Sequence, residues 1–302
     1  MGNKQKGKRA TLLGFAAILL WGMLALLTSL SGNIPPFQLT AMTFFIAFLV
    51  GAASFLKSGR DFSIFKQPPA VWLNGIFGLF GYHAIYFMAM KNAPSIEASL
   101  IAYLWPILIV LFSSFLPGER LRWFHLAGAI LGFAGVAALL LRGGFAIKQE
   151  YMIGYGLALL CAVIWSLYSV VSRKLSGAPT MLIGAFCGIT ALLSFICHLL
   201  FEKTVAVTGI QWIPVLLLGL GPVGLAFFAW DHGMKKGNIK LLGTLSYVAP
   251  LLSSILLVLF GKADFSIGLL LACGLIMAGS FITVIDSFKG MRTNKHEMRD
   301  ML

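Results

Sequence analysis

Charge is what this sequence has least of. Aspartate, glutamate, lysine and arginine make up 11% of its 302 residues, where a soluble globular domain carries about 25%. Acidic residues number only 10. A chain so composed does not clothe a soluble surface. It also shows neither paired aspartates at depth nor a His-Glu-x-x-His pair, which an intramembrane enzyme would need. Cysteine is sparse as well. Cys161, Cys187, Cys197 and Cys273 lie within apolar runs without CxxC or metal-ligand spacing. That argues against a disulfide framework or a zinc site, and the four read as small packing residues. No cofactor and no metal are expected.

What the chain does have is hydrocarbon: 59% of its residues are hydrophobic, and the mean hydropathy is +0.91. Ten apolar runs lie near 11–30, 37–56, 69–90, 94–116, 123–141, 153–172, 180–200, 211–234, 240–260 and 265–286. Each approaches the roughly 20 residues that a bilayer-spanning helix requires. The connections between them leave no room for a soluble domain. Basic residues ahead of the first run also fit a secretory leader. That run is longer than a leader's apolar core, and its Trp21 has a counterpart later in the chain, so it reads as a span. The expectation is an all-α polytopic membrane protein with ten transmembrane helices.

The net charge of +13 follows from topology. With a cytoplasmic N-terminus, the even-numbered gaps and both tails carry 18 of the 23 Lys and Arg residues. The opposite face keeps Lys91, Arg142, Lys148, Lys203 and Lys262. Such a bias marks the cytoplasmic side and fits an even span count with both termini inside. A nucleic-acid binder would gather its basic residues on one folded face; here every inner loop holds some.

The chain repeats itself at an offset of 144 residues. "SLIAYLWPILIVLF" (99–112) and "GTLSYVAPLLSSIL" (243–256) both carry Tyr-x-x-Pro, as Tyr103/Pro106 and Tyr247/Pro250. At the same offset Trp21 matches Trp165, Pro35 matches Pro179, Gly75 matches Gly219, and Met90-Lys91 matches Met234-Lys235. Ala134-Gly135 likewise matches Ala278-Gly279. The units are 1–145 and 146–302, with a seam near "RGGFAIKQE" (142–150). Five spans per unit is an odd number, so the second copy enters the membrane from the other side. That inverted-topology repeat is an architecture of secondary transporters, with the substrate near the midplane between the copies.

Two five-span units, each opening with a mid-helix Trp, resemble the ten-span drug/metabolite transporter superfamily of EamA type. "LPGERLRWFHLAGAILGFAGVAALL" strengthens the likeness, with its Gly-Glu-Arg-Leu ahead of a Gly-rich fifth helix. The second copy departs from it, reading "FGKADFS" with Ala263 opposite Glu119. Within the superfamily the chain is most similar to the bacterial aromatic amino acid exporters. The resemblance implies a multi-pass protein of the bacterial inner membrane. It implies amino acids as substrates and export as the direction, and no obligate protein partner is inferred.

The residues themselves narrow the chemistry. Glu97, Asp231 and Asp286 fall near span ends, where water is expected to reach them, and no Arg or Lys is expected at depth. His83 is the one ionisable side chain near a midpoint. It is either a functional group or a neutral imidazole hydrogen-bonded to a neighbouring helix. Such a pathway suits a neutral or zwitterionic substrate. Trp72, Trp123 and Trp212 sit at span ends, as an interfacial belt requires, whereas Trp21, Trp105 and Trp165 sit mid-span. Thr28 follows Trp21 at i+7, and Tyr168 and Ser172 follow Trp165 at i+3 and i+7, so each set shares one helix face. Tyr82, His83 and Tyr86 form another polar-tipped group. The candidate substrate-binding residues are therefore Trp21, Tyr82, His83, Tyr86, Tyr103, Trp105, Trp165, Tyr168, Ser246 and Tyr247. Core packing remains the alternative for these aromatics.

Pro106 and Pro250 lack the N–H that would bond the carbonyls of Ala102 and Ser246. Backbone left open at depth is tolerated where protein or a water-filled cavity satisfies it. The matched prolines are candidate hinges. Gly128 and Gly132 form a GxxxG in the fifth span, and Gly268, Gly274 and Gly279 thin the tenth, which points to close helix packing. "GLGPVG" (219–224) fits G-x-G-x-x-G only formally, because it sits inside an apolar span and not after a strand. The reading that results is a secondary transporter exporting aromatic and other apolar zwitterionic amino acids. Export of amphipathic or cationic drugs, using cation–π contacts, is the alternative within its class. A channel or scaffold is the alternative outside it.

Overall fold

The structure, a computed structural model, describes residues 3–119, 121–140, 149–262, 264–265, 267–268, 270–272, 274–279 and 281–282. Arg120, Ala263, Cys273, Asp286, residues 142–148 of the seam and the basic residues Lys289, Arg292, Lys295 and Arg299 lie outside them. The described residues are helical throughout, with no strand among them. Seven segments are long and apolar enough to cross a membrane: Gln5–Leu30, Pro36–Lys57, Pro69–Asn92, Gln149–Lys174, Leu182–Phe201, Gly209–Lys236 and Ile239–Leu259. Glu97–Ser113, Trp123–Ala138 and Leu270–Gly279 are shorter apolar helices.

Most of these segments are interrupted. The first divides at Met23 into α1 (Asn3–Gly22) and α2 (Leu24–Leu30), while α3 (Pro36–Lys57) runs unbroken. Next come α4 (Pro69–Ile76) and α5 (Tyr82–Asn92), then α6 (Ser95–Ala102), α7 (Trp105–Ser113) and α8 (Trp123–Leu140). The second half holds α9 (Met152–Lys174), α10 (Leu182–Phe201), α11 (Trp212–Leu220), α12 (Ala226–Lys236), α13 (Ile239–Leu245) and α14 (Val248–Leu259).

The interruptions recur at the register of the repeat. A π-helical turn, Phe77–Gly81, joins α4 to α5, and another, Gly221–Leu225, joins α11 to α12. Each begins 144 residues from the other. Single π turns inside α-helices are uncommon and concentrate at functional sites. The breaks before the matched prolines fall where the sequence places them. α6 ends at Ala102 and α7 resumes at Trp105, and α13 ends at Leu245 and α14 resumes at Val248.

Glycine decides how closely the helices approach. A methyl on Gly233 of α12 would stand 2.6 Å from the Gly14 Cα of α1, and one on Gly184 of α10 would stand 2.9 Å from the Gly51 Cα of α3. Against the GxxxG helix, a methyl on Gly279 of the tenth apolar segment would meet the Gly128 carbonyl and lie 3.1 Å from the Gly132 nitrogen. The two helices thus meet at Gly128, Gly132 and Gly279, as small residues at membrane helix interfaces allow, whereas a methyl on Gly274 would meet nothing. Residues 219–224 also pack closely, Gly219 against Ile46 and Gly224 against the Gly219 carbonyl.

Hydrogen bonds define two ends of the bundle. At one, Glu202 receives the Phe37 and Gln38 amides at 2.9 and 3.0 Å, capping the N-terminus of α3 from the end of α10. Gln38 clasps the Val205 backbone through its side-chain amide, donating at 2.6 Å and accepting at 2.9 Å. A carboxylate there also faces the positive end of the α3 dipole. At the other end the Asn238 amide donates to Thr11 Oγ1 at 2.9 Å, and Arg173 reaches the carbonyls of Met234 and Gly237 at 3.1 and 2.6 Å.

This second end corrects the expected distribution of charge. Asp231 is 2% exposed, not solvated. It pairs with Lys235 at 2.8 Å and accepts from Thr180 Oγ1 at 2.6 Å. Lys235 and Lys240 are buried too. Lys240 donates to Glu119 Oε2 at 2.7 Å and Arg173 to Glu119 Oε1 at 3.4 Å. Helix ends near the surface along the chain are covered here by neighbouring helix ends, so Asp231, Lys235 and Lys240 are buried as paired charges, while Glu119 and Arg173 stay partly exposed. Glu97, at the opposite end, accepts a hydrogen bond from Tyr155.

Candidate functional site

A cavity of about 630 Å³ opens in the middle of the bundle. Thr28 and Ser29 at the end of α2 and Pro36, Leu39 and Thr40 at the start of α3 border it, so it lies toward the Glu202 end. Among the described residues no Asp, Glu, Lys or Arg lines it.

Its floor is a cluster of tryptophans. Trp21 meets Trp165 at 5.6 Å and Trp105 at 6.5 Å between ring centroids, both edge to face. Trp230 lies 5.0 Å from Trp21 and donates its indole N–H to Ser169 Oγ at 3.1 Å. Trp21 donates its own N–H to the Pro222 carbonyl at 3.0 Å, inside the second π turn. Edge-to-face geometry suits the aromatic quadrupole, and each such pair contributes about 0.5–1.5 kcal/mol beyond area burial.

The wall comes from α5. Tyr82 and Tyr86 stack at 5.9 Å and 12°. Tyr86 shares a hydrogen bond with Ser99 Oγ at 3.2 Å. His83 Nδ1 lies 2.7 Å from the Leu79 carbonyl, in the first π turn. A carbonyl only accepts, so Nδ1 carries the proton, and Nε2 of the neutral ring keeps a lone pair. Phe44 and Phe227 flank the imidazole, with centroids at 5.1 and 6.4 Å.

Seven of the ten expected residues border the cavity: Trp21, Tyr82, His83, Tyr86, Tyr103, Trp105 and Trp165. Tyr103 sits in the break between α6 and α7. The other three do not border it. Tyr168 lies beneath Trp165 at 5.1 Å and against Gly78 of the π turn. Ser246 is fully buried and donates to the Leu242 carbonyl at 2.7 Å. Tyr247 is fully buried in a separate cluster with Leu100, Val136, Leu251, Ala272 and Ile276, pressed on Gly132. The reason is positional. The cavity occupies one half of the bundle's depth, so it reaches Tyr103 and leaves its partner Tyr247 in the packed half.

Phe44, Thr43, Phe227, Ser99 and Ser253 also line the cavity, and Trp230 supports it from behind. Phe44 is one phenylalanine among 25 in apolar runs and carries no signal. The repeat register does mark two others, since Phe227 stands 144 residues after His83 and Trp230 stands 144 after Tyr86. Among the described residues no cluster of His, Cys, Asp and Glu could hold a metal ion.

Comparison with known proteins places this geometry. The EamA-like transporter family matches residues 8–141 and again residues 152–285. An aromatic amino acid exporter, YddG, of Ancylobacter novellus is 55% identical over 91% of this chain and 97% of its own length. The Escherichia coli protein of the same name is 26% identical, covering 88% of this chain and 95% of its own. A crystal structure 54% identical in sequence superposes with a TM-score of 0.89, covering 93% of this chain and 98% of that one.

Proposed function

The chain belongs to the EamA-like transporter family, and from that premise we propose that it exports zwitterionic amino acids with aromatic or other apolar side chains across the inner membrane by alternating access. The observation that carries this is the cavity: aromatic, of small-molecule size and, among the described residues, without a charged side chain on its wall. Its volume lies within the roughly 300–1,000 Å³ of small-molecule sites. The tryptophan floor takes the apolar side chain. His83 Nε2 accepts from the ammonium group, and the hydroxyls of Tyr86 and Tyr103 donate to the carboxylate. A permanent cation would want a carboxylate here, which weighs against the drug-export alternative. Two relatives with similar coverage carry names of aromatic amino acid exporters.

In this reading ten helices span the bilayer in two inverted five-helix copies, 1–145 and 146–302, with both termini cytoplasmic. Three features support it: two family matches 144 residues apart, paired π turns and paired proline breaks at the same offset, and the Lys/Arg bias. The Glu202 end is then periplasmic, and the structure is an outward-open state.

The test is flux in liposomes holding the purified protein. Counterflow of labelled tryptophan or phenylalanine should be saturable, and unlabelled apolar amino acids should compete while lysine and glutamate should not. Linear, unsaturable flux would instead mark a channel.

A further inference from the structure

The repeat register relates a packed contact at one end of the molecule to an open one at the other. In the closed half α7 packs along α13, and a methyl on Gly243 would lie 3.3 Å from Ile109 Cγ2 and 3.2 Å from Val110 Cγ2. At the offset of 144, Ile109 corresponds to Ser253 and Gly243 to Ser99. Those two serines lie on α14 and α6, both border the cavity, and their helices touch only sparsely. In an inverted repeat the two halves exchange conformations between access states. What is packed in one state is therefore open in the other.

The closed end also holds a charge cluster between the copies that the repeat register does not reproduce at the open end. Glu119 of the first copy accepts from Lys240 and Arg173 of the second. The register carries Glu119, Arg173 and Lys240 to Ala263, Ser29 and Ile96, none of them charged. The pairing of Asp231 with Lys235 lies inside the second copy and moves with it, as do the bonds from Arg173 to Met234 and Gly237. Among the described charged residues of this cluster the Glu119 bonds cross between copies, as the nearby bond from Asn238 to Thr11 also does, and such bonds must break when the copies rock.

Resting on the transporter reading, we infer that Ser99 and Ser253 are the outer gate, closing onto one another when the site faces the cytoplasm. Glu119 is the tie that biases the resting protein toward the outward-open state. Opening the inner gate separates Gly243 from Ile109 and Val110 and strips Glu119 of both cationic partners. Closing the outer gate brings together Ala263, Ser29 and Ile96 at the equivalent positions, which form no such bridge, so the two states are unequal by the worth of that tie. The unequal copies seen in the sequence, Glu119 against Ala263, thereby acquire a function.

The experiment places cysteines at both serines, as Ser99→Cys with Ser253→Cys, in protein reconstituted into liposomes. Copper phenanthroline oxidises the two thiols to a disulfide, copper(II) taking the electrons and the protons passing to buffer. The disulfide should form during turnover, stop amino acid flux, and release it again on reduction. Oxidant should leave the flux of each single-cysteine variant at its own starting rate. Adding Glu119→Gln should speed disulfide formation at least roughly twofold, since an ion pair less exposed than a surface pair is worth no less than one, and Glu119→Asp should not. If the double-cysteine protein transports yet never cross-links, the outer gate is misassigned. If it cross-links at a rate indifferent to Glu119→Gln, the bias is misassigned. Absence of flux from the wild-type protein would sink the transporter reading instead.

Discussion

Trp21 of α1 donates its indole N–H to the Pro222 carbonyl at 3.0 Å, joining the cavity floor to the π-helical turn between α11 and α12. A π turn leaves backbone carbonyls out of the regular i→i−4 ladder. At membrane depth such groups need a partner. The first copy meets the same need differently, with His83 Nδ1 donating to Leu79 of its own turn. One tie crosses between copies and the other is local.

Trp21→Phe should therefore cost more than an aromatic contact. It keeps a ring on the floor but orphans the Pro222 carbonyl, a penalty of about 1–3 kcal/mol. The expected result is a lower melting temperature in detergent together with weaker amino acid binding by tryptophan-fluorescence titration. An unchanged melting temperature would show that the π turn needs no side-chain donor.

Much of the fold is legible from the chain because apolar length and proline placement are local properties. α3 begins at Pro36 and α4 at Pro69, and both Tyr-x-x-Pro segments break just before their prolines. The π turns are not legible, since they depend on tertiary partners such as Trp21. Tyr247 was assigned to the site because it matches Tyr103 in register. The register identifies equivalent residues without saying which half of the molecule is open. Asp231 lies near a helix end along the chain, yet Thr180 and Lys235 cover it.

That difference between equivalent tyrosines gives a contrast to measure. Tyr103→Ala removes a cavity wall and should weaken substrate affinity roughly two- to tenfold, the aromatic share of one contact. Tyr247→Ala leaves a void against Gly132 and should destabilise the protein by about 3–5 kcal/mol, with affinity in the surviving folded fraction unchanged. Equal affinity losses in both variants would place Tyr247 on the substrate path.

Topology is tested with reporter fusions. Fusion at Gly32 should report the periplasm and fusion at Ser58 the cytoplasm, because α3 between them carries the chain inward toward its basic end. The reverse pair of signals, or one signal from both, would end the proposed orientation.

His83 decides energy coupling. Among the described residues it is the one titratable group of the cavity wall other than tyrosines, and the acidic residues at the closed end do not line the cavity. If protons drive export, they pass through His83 Nε2, the ring's free lone pair. His83→Ala should then keep downhill flux while losing any response to an imposed pH gradient. Uphill accumulation driven by a pH gradient in that variant would put the carrier elsewhere.

The matched prolines bear on motion rather than affinity. Pro106 and Pro250 each follow a two-residue break, at Tyr103–Leu104 and Ser246–Tyr247. The second break lies in the packed half and the first borders the cavity, so the same local device serves both a wall in place and a wall still to open. Alanine at either site restores an N–H and permits a continuous ladder. Thermal stability should hold or rise, because a regular helix replaces a broken one. Transport should fall, since straightening one helix of the pair favours a single access state over the exchange that rocking requires. Substrate affinity measured at equilibrium should change less than turnover, which separates a hinge from a binding residue. Two alanine variants that express well and turn over at the wild-type rate would reduce the breaks to inherited geometry without a part in the cycle.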